Sequence, residues 1–223
     1  MACMSFRSTD FRESIEHLPA GATLVIHGLH WDDYEEILGD ISHRPRLRVS
    51  YDCGKLEVMS PLQEHEMIAR LIDAMVRIYA EELDLNVDSY GSTTWKRQSV
   101  GKGVEPDACY YVENAALVIG KRQFDLEFDP PPDIVVEIDI TSESLSRFSI
   151  YAALGVPEIW RYDGSTFQFY ELKENKFTES AGSRFLPGLS GLLMCETIES
   201  TNKLRQTVAL KVFRNRIRAS KSK

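Results

Sequence analysis

The four cysteines, Cys3, Cys53, Cys109 and Cys195, form no C-x-x-C pair and are widely scattered, which argues against zinc and leaves a disulfide framework without support. No apolar run reaches the roughly 18 residues that a membrane span requires. The N-terminus carries acids and an arginine where a signal peptide would be apolar, so the expected compartment is the cytoplasm with no membrane partner. Bases are also in short supply: 26 Lys and Arg stand against 34 Asp and Glu, a net charge of -8. A protein that grips a polyanion draws most of its non-specific affinity from phosphate contacts, and this balance is unfavourable for that. Yet residues 201–223 hold eight bases and no acid. Setting those eight aside from the 26 leaves 18 bases against 34 acids in residues 1–200. The basic segment is either a solvated helix face with a frayed end or a nucleic-acid contact.

At 223 residues and 43% hydrophobic the chain can bury one good core. No internal repeat or low-complexity linker interrupts it. The expected organisation is an N-terminal arm over 1–30, one domain over 31–193, and a basic helix or tail over 194–223 packed on the same domain. Residues 31–38 read as a short amphipathic helix, and 46–51 with 55–59 as a hairpin turning at Asp52-Cys53-Gly54. Pro61 opens a long helix to about Leu83, with Met67, Ile68, Leu71, Ile72, Met75, Ile78 and Tyr79 three and four apart. Strands follow at 85–90, 93–99 and 107–112, punctuated by Gly91, Gly101 and Gly103. Residues 134–140 suit a central strand buried on both faces. A helix over 144–154, capped by Thr141 or Ser142 and ended by Gly155 and Pro157, leads into strands at 158–162, 166–172 and 176–180. A last helix spans about 202–218, with Leu204, Val208, Leu210, Val212, Phe213 and Ile217 as its packing face.

The chemistry-bearing feature is the placing of acids. Glu105-Pro106-Asp107 precedes a strand, while Glu137 and Asp139 interrupt the apolar run Ile134-Val135-Val136-Glu137-Ile138-Asp139-Ile140. A carboxylate in such a place costs free energy unless something pairs with it, and a divalent cation can hold several at once. For Glu137 the alternative is a structural salt bridge to an arginine. Asp107 can equally serve as the turn residue after Pro106. Asp139, two residues beyond Glu137, faces the same side of a regular strand, and can instead bond the helix that follows.

These motifs, in their order and intervals, resemble the PD-(D/E)XK nuclease superfamily and, within it, a family of restriction-endonuclease-like proteins first catalogued as a domain of unknown function (Uma-two type). The resemblance begins near Trp31-Asp32-Asp33-Tyr34. It runs through Gly54 to Pro61 with His65 four residues on, through Glu105-Pro106-Asp107 and Val136-Glu137, and through Tyr151 to Trp160. It implies an α/β fold with a restriction-endonuclease-like core: a central mixed β-sheet flanked by helices in the order αβββαβ, with helical elaborations at both ends. The implied activity is Mg²⁺-dependent (or Mn²⁺-dependent) hydrolysis of phosphodiester bonds in DNA. Asp107 and Glu137 would be the metal ligands, the carbonyl of Ile138 a third, and His65 a residue reaching metal-bound water. Glu57 ranks second, because strand alternation already explains it.

The chain departs from the pattern at the lysine. Two residues after the second acid, where the superfamily has lysine, stands Asp139; four residues before Tyr151, where the related family carries it, stands Arg147. Arginine keeps the charge and can clamp phosphate but cannot act as a general base. A catalytically inactive binding or structural module on the same fold is therefore the alternative. No zinc finger or clear helix-turn-helix assigns a base-reading element. A homodimer is expected, with the apolar strands between Phe167 and Phe177 as its interface.

Overall fold

The computed structural model describes residues 9–41, 47–140 and 145–221. After α1 (Thr9–Glu16), the segment expected to be an arm forms β1 (Thr23–His27), which pairs antiparallel with residues 55–59. Next come α2 (Trp31–Ile41), β2 (Arg48–Asp52) and β3 (Lys55–Met59). Asp52 lies opposite Lys55, so Cys53 and Gly54 alone make the turn, with φ of 45° and 101°. A two-residue hairpin loop of this hand needs positive φ at both positions, and glycine supplies the second without strain.

The long helix α3 (Gln63–Leu83) ends at Asp84 in the left-handed region. Beyond it lie β4 (Asp88–Ser89), β5 (Trp95–Arg97), β6 (Lys102–Val104) and β7 (Ala108–Tyr111). β5 and β6 leave to complete a five-stranded antiparallel sheet of order β1-β3-β2-β6-β5. The single central sheet expected is therefore two sheets. β6 escaped the pattern because Gly103 reads as a loop residue. Its glycine is a packing requirement, since a Cβ at 103 would stand 2.1 Å from the Tyr34 hydroxyl.

The second sheet holds the site. After a short helix α4 (Ala115–Val118) come β8 (Ile134–Ile138), α5 (Phe148–Leu154), β9 (Glu158–Tyr162), β10 (Phe167–Lys173) and β11 (Lys176–Ser180). The order is β11-β10-β9-β8-β7-β4, with β8 and β9 parallel and joined through α5. Every residue of β8 is buried, as a central strand covered on both faces should be. Ile134, Val136 and Ile138 point with Tyr110 and Trp160 toward the apolar stripe of α3 and the C-terminal helices α6 (Gly191–Ser200) and α7 (Gln206–Lys221). Val135 points the other way with Cys109, Tyr111 and Ile159, into a core shared with Trp95, Val104, Ile150, Tyr151 and Leu154. By alternation Glu137 belongs to this second face. The first sheet packs its own core, Val49, Tyr51, Leu56 and Val58, on Tyr34 and Ile37 of α2 and on Ile15.

Two further expectations change. Phe167 and Phe169 are buried in the chain's own core beside α6, while Tyr170 and Phe177 flank Phe148. The apolar character of these strands is thus satisfied internally, which removes the reason for placing a dimer interface there. The helix expected from 144 begins as a 3-10 turn at Leu145–Arg147; the caps Thr141 and Ser142 lie outside the described residues, as do residues 1–8 and Lys223. Among the described residues no helix is long and apolar enough to cross a membrane.

Candidate functional site

Asp107 sits just ahead of β7 and is stitched to β8 by both main chain and side chain. Its amide donates to the Val136 carbonyl at 3.0 Å, and its Oδ2 accepts from the Ile138 amide at 2.8 Å. The same two bonds that brace β8 set the Asp107 carboxylate beside Glu137. The other oxygen, Oδ1, lies 3.6 Å from Nε of Arg48 on β2, whose Nη2 donates to Glu66 at 2.5 Å. Glu137 is 0% exposed; the Tyr151 hydroxyl donates to its Oε1, and Nη1 of Arg147 stands 2.9 Å from its Oε2. Asp139 accepts from Nε of Arg161 at 2.5 Å, while its amide donates to Tyr162. Each of the three acids thus faces an arginine.

The electrostatics follow from burial. Desolvation pushes the Glu137 carboxyl up to about 8, against the pull of Arg147, and Asp107 adds repulsion. Asp107 is raised by the same burial, opposed by Arg147, the Ile138 amide, Arg48 and His65. His65, buried in the first turn of α3, is lowered by desolvation and pulled back by Asp107 and Glu64. For Arg147 desolvation works against the charge, but Glu137, Tyr151, Asp107 and Asp139 outweigh it and hold the guanidinium protonated. Asp107 and Asp139 are therefore each within electrostatic reach of His65, Glu137 and Arg147.

Three participants were not foreseen as such: Arg48, Arg161 and the hydroxyl of Tyr151. Arg48 carried a readable signal, because a base inside Leu47-Arg48-Val49 on a strand raises the same question as Glu137 inside its apolar run. Glu57, the second-rank acid, is tied to Lys55 at 3.7 Å and lines the small cleft behind Arg147. A cavity of about 440 Å³ opens on Asp107 between α3 and residues 89–92, with Arg48, Glu66, Arg70 and Asp73 in its wall. A second, of about 490 Å³, shares Arg48 and Ser92 and continues past Thr94 and Lys96. Among the described residues no group of three or more His, Cys, Asp and Glu is arranged to hold a metal ion.

The basic C-terminal segment packs rather than projects. Arg214 pairs with Glu82 at 2.8 Å and with Glu81 at 2.9 Å, Arg218 with Glu82 at 2.8 Å, and Arg216 with Glu196 at 2.6 Å. Three arginines of the segment read either as a solvated face or as a nucleic-acid contact are thus engaged by acids of α3 and α6.

A mixed α/β chain that sets an acid at the mouth of one strand against an acid inside its neighbour has the fold class of the restriction-endonuclease-like proteins. The family model Uma2, described as "Putative restriction endonuclease", matches residues 31–204, and the chain belongs to that family. Among solved structures it is similar to one described as "a putative nuclease belonging to DUF820" from Anabaena variabilis ATCC 29413. The identity is 14% and the TM-score 0.44, over 64% of this chain and 85% of that one. No curated protein matches.

Proposed function

We propose that the chain is a divalent-metal-dependent endonuclease that hydrolyses phosphodiester bonds in DNA. The observation that carries this reading is the meeting of Asp107 and Glu137 on adjoining strands, in a chain of a nuclease family. The donor chemistry fits a hard cation: two carboxylates and the carbonyl of Ile138 are enough for Mg²⁺ or Mn²⁺, which keeps water in its remaining positions. When bound, such an ion lowers the pKa of water and neutralises charge on the pentavalent transition state. Asp107 is held ready by the Ile138 amide, and Tyr151 fixes the orientation of Glu137. Arg48 and the exposed Arg70 offer positive charge along the cavity by which a phosphodiester would reach Asp107.

The test is cleavage of supercoiled plasmid with Mg²⁺ or Mn²⁺, comparing the parent with Asp107→Ala. Nicking by the parent alone is expected, with a loss of at least about 100-fold in the variant, the scale of removing one main electrostatic group. Equal nicking by both would sink the assignment. One observation favours a second reading, an inactive nuclease-fold binding module: the pairing of Asp107, Glu137 and Asp139 with Arg48, Arg147 and Arg161. That reading requires DNA binding without metal-dependent nicking.

DNA affinity offers a separate check on the C-terminal helix. Because Arg214, Arg216 and Arg218 are engaged by glutamates, replacing all three by glutamine should leave the dependence of log K on log salt unchanged. Had they neutralised phosphates, the slope would flatten by about 0.9 for each arginine so engaged. A flatter slope in the triple variant would return these residues to the DNA-binding surface.

A further inference from the structure

Arg147 stands at the entry to α5 with its guanidinium against Glu137 Oε2, the two side chains 8% and 0% exposed. Electrostatically it faces Asp107 and Asp139 as well, so it sits among all three acids of the site. A buried carboxylate needs a cation, and Oε2 is the oxygen of Glu137 that Tyr151 leaves for one. Arg147 also lines a small cleft of about 30 Å³ with Ser50, Asp52, Lys55 and Glu57. Arg147 therefore borders two sets of carboxylates, the acids of the site and the cleft's Asp52 and Glu57, which pair with Lys102 and Lys55.

We propose that Arg147 is an internal competitor of the divalent cation. While the guanidinium holds Oε2, the Asp107–Glu137 pair is closed to metal; metal enters when the guanidinium moves out toward Asp52 and Glu57. This rests on the metal reading given above, but it assigns the arginine a role that a phosphate clamp or a structural brace does not have. The apparent metal affinity is the intrinsic affinity reduced by the fraction of molecules in which Glu137 is released. Loss of the guanidinium removes that reduction.

The measurement is calorimetric titration of Mn²⁺ into the full chain, for the parent, Arg147→Gln, Arg147→Lys and the double variant Arg147→Gln with Glu137→Gln. If fewer than about one molecule in ten of the parent is open, Arg147→Gln should bind at least about tenfold more tightly. Arg147→Lys, which keeps the charge but loses the planar fork, should gain about threefold. The double variant should lose the gain. Unchanged or weaker Mn²⁺ binding in Arg147→Gln overturns the proposal, and if that variant does not fold, the same result in Arg147→Lys does so. Tighter binding in a chain that never nicks DNA keeps the competitor and removes the nuclease; nicking without any gain does the reverse.

Discussion

At alkaline pH, above the value of about 8 to which burial raises Glu137, Arg147→Ala is expected to lower the unfolding free energy by as much as about 3–5 kcal/mol, because removing one partner of a buried pair leaves the other charge uncompensated. Glu137 has no exposure to water, and Tyr151 then remains as its one partner identified in the site. The loss should depend on pH in a definite direction. Burial raises the Glu137 carboxyl in the folded chain to about 8, above its unfolded value. The folded state therefore binds the extra proton, and stability falls as pH rises through the interval between the two values. In the variant that interval widens upward, since the stabilising guanidinium has gone. The penalty should be small near pH 5 and emerge only above about pH 8, where the parent's Glu137 ionises beside Arg147 while the variant's stays protonated, so that it is still growing at about pH 9. Adding Glu137→Gln to Arg147→Ala should recover much of the loss, because no buried charge is then stranded at that point. Guanidinium denaturation of the parent, Arg147→Ala, Glu137→Gln and the double variant at the two pH values measures the coupling. A loss that is below about 1 kcal/mol, or that does not change with pH, would show that Arg147 is not the counter-charge of Glu137.

Much of this site was legible because burial makes acids conspicuous. The run from Ile134 to Ile140 announces a strand covered on both sides, and an acid within it poses a question that can be asked without coordinates. The sequence left open whether metal or arginine answers it, and the structure supplies Arg147 at 2.9 Å. The pairing partners were harder to read, since Arg48 and Arg161 meet their acids only through the pairing of strands far apart in sequence. The split into two sheets had the same obscurity. β5 and β6 are three residues each, and whether so short a strand joins one sheet or another depends on partners that local pattern does not name. β1 is different. Leu24-Val25-Ile26 lies between Gly21 and Gly28 and carried a strand pattern of its own, but its place at the sheet edge follows only from pairing with β3.

Phe213→Ala should cost about 3–5 kcal/mol, the range for deleting a wholly buried aromatic ring, whereas Val208→Ala and Val212→Ala should each stay within about 0.5 kcal/mol. The contrast tests the rotational setting of α7. Two apolar rows are spaced four apart along this segment: Val208 and Val212, in line with Leu204 just ahead of the helix, form one, and Ala209, Phe213 and Ile217 the other. Either could face the core on periodicity alone, and the packing face expected from the sequence merges parts of both. In the fold the second row is buried, with Phe213 at 0% exposure, while Val208 and Val212 remain 43% and 47% exposed. Charge explains which row wins. Turning the helix to bury Val208 and Val212 would carry Arg214 and Arg218 away from Glu81 and Glu82 on α3, and the observed setting satisfies packing and pairing together. Because α7 packs on the helix that carries His65, the Phe213 cavity should also loosen α3. Hydrogen exchange along residues 63–83 should then quicken in Phe213→Ala and stay at the parent's rate in the two valine variants. Comparable losses of stability at Val212 and Phe213 would mean that α7 is rotated from the setting described.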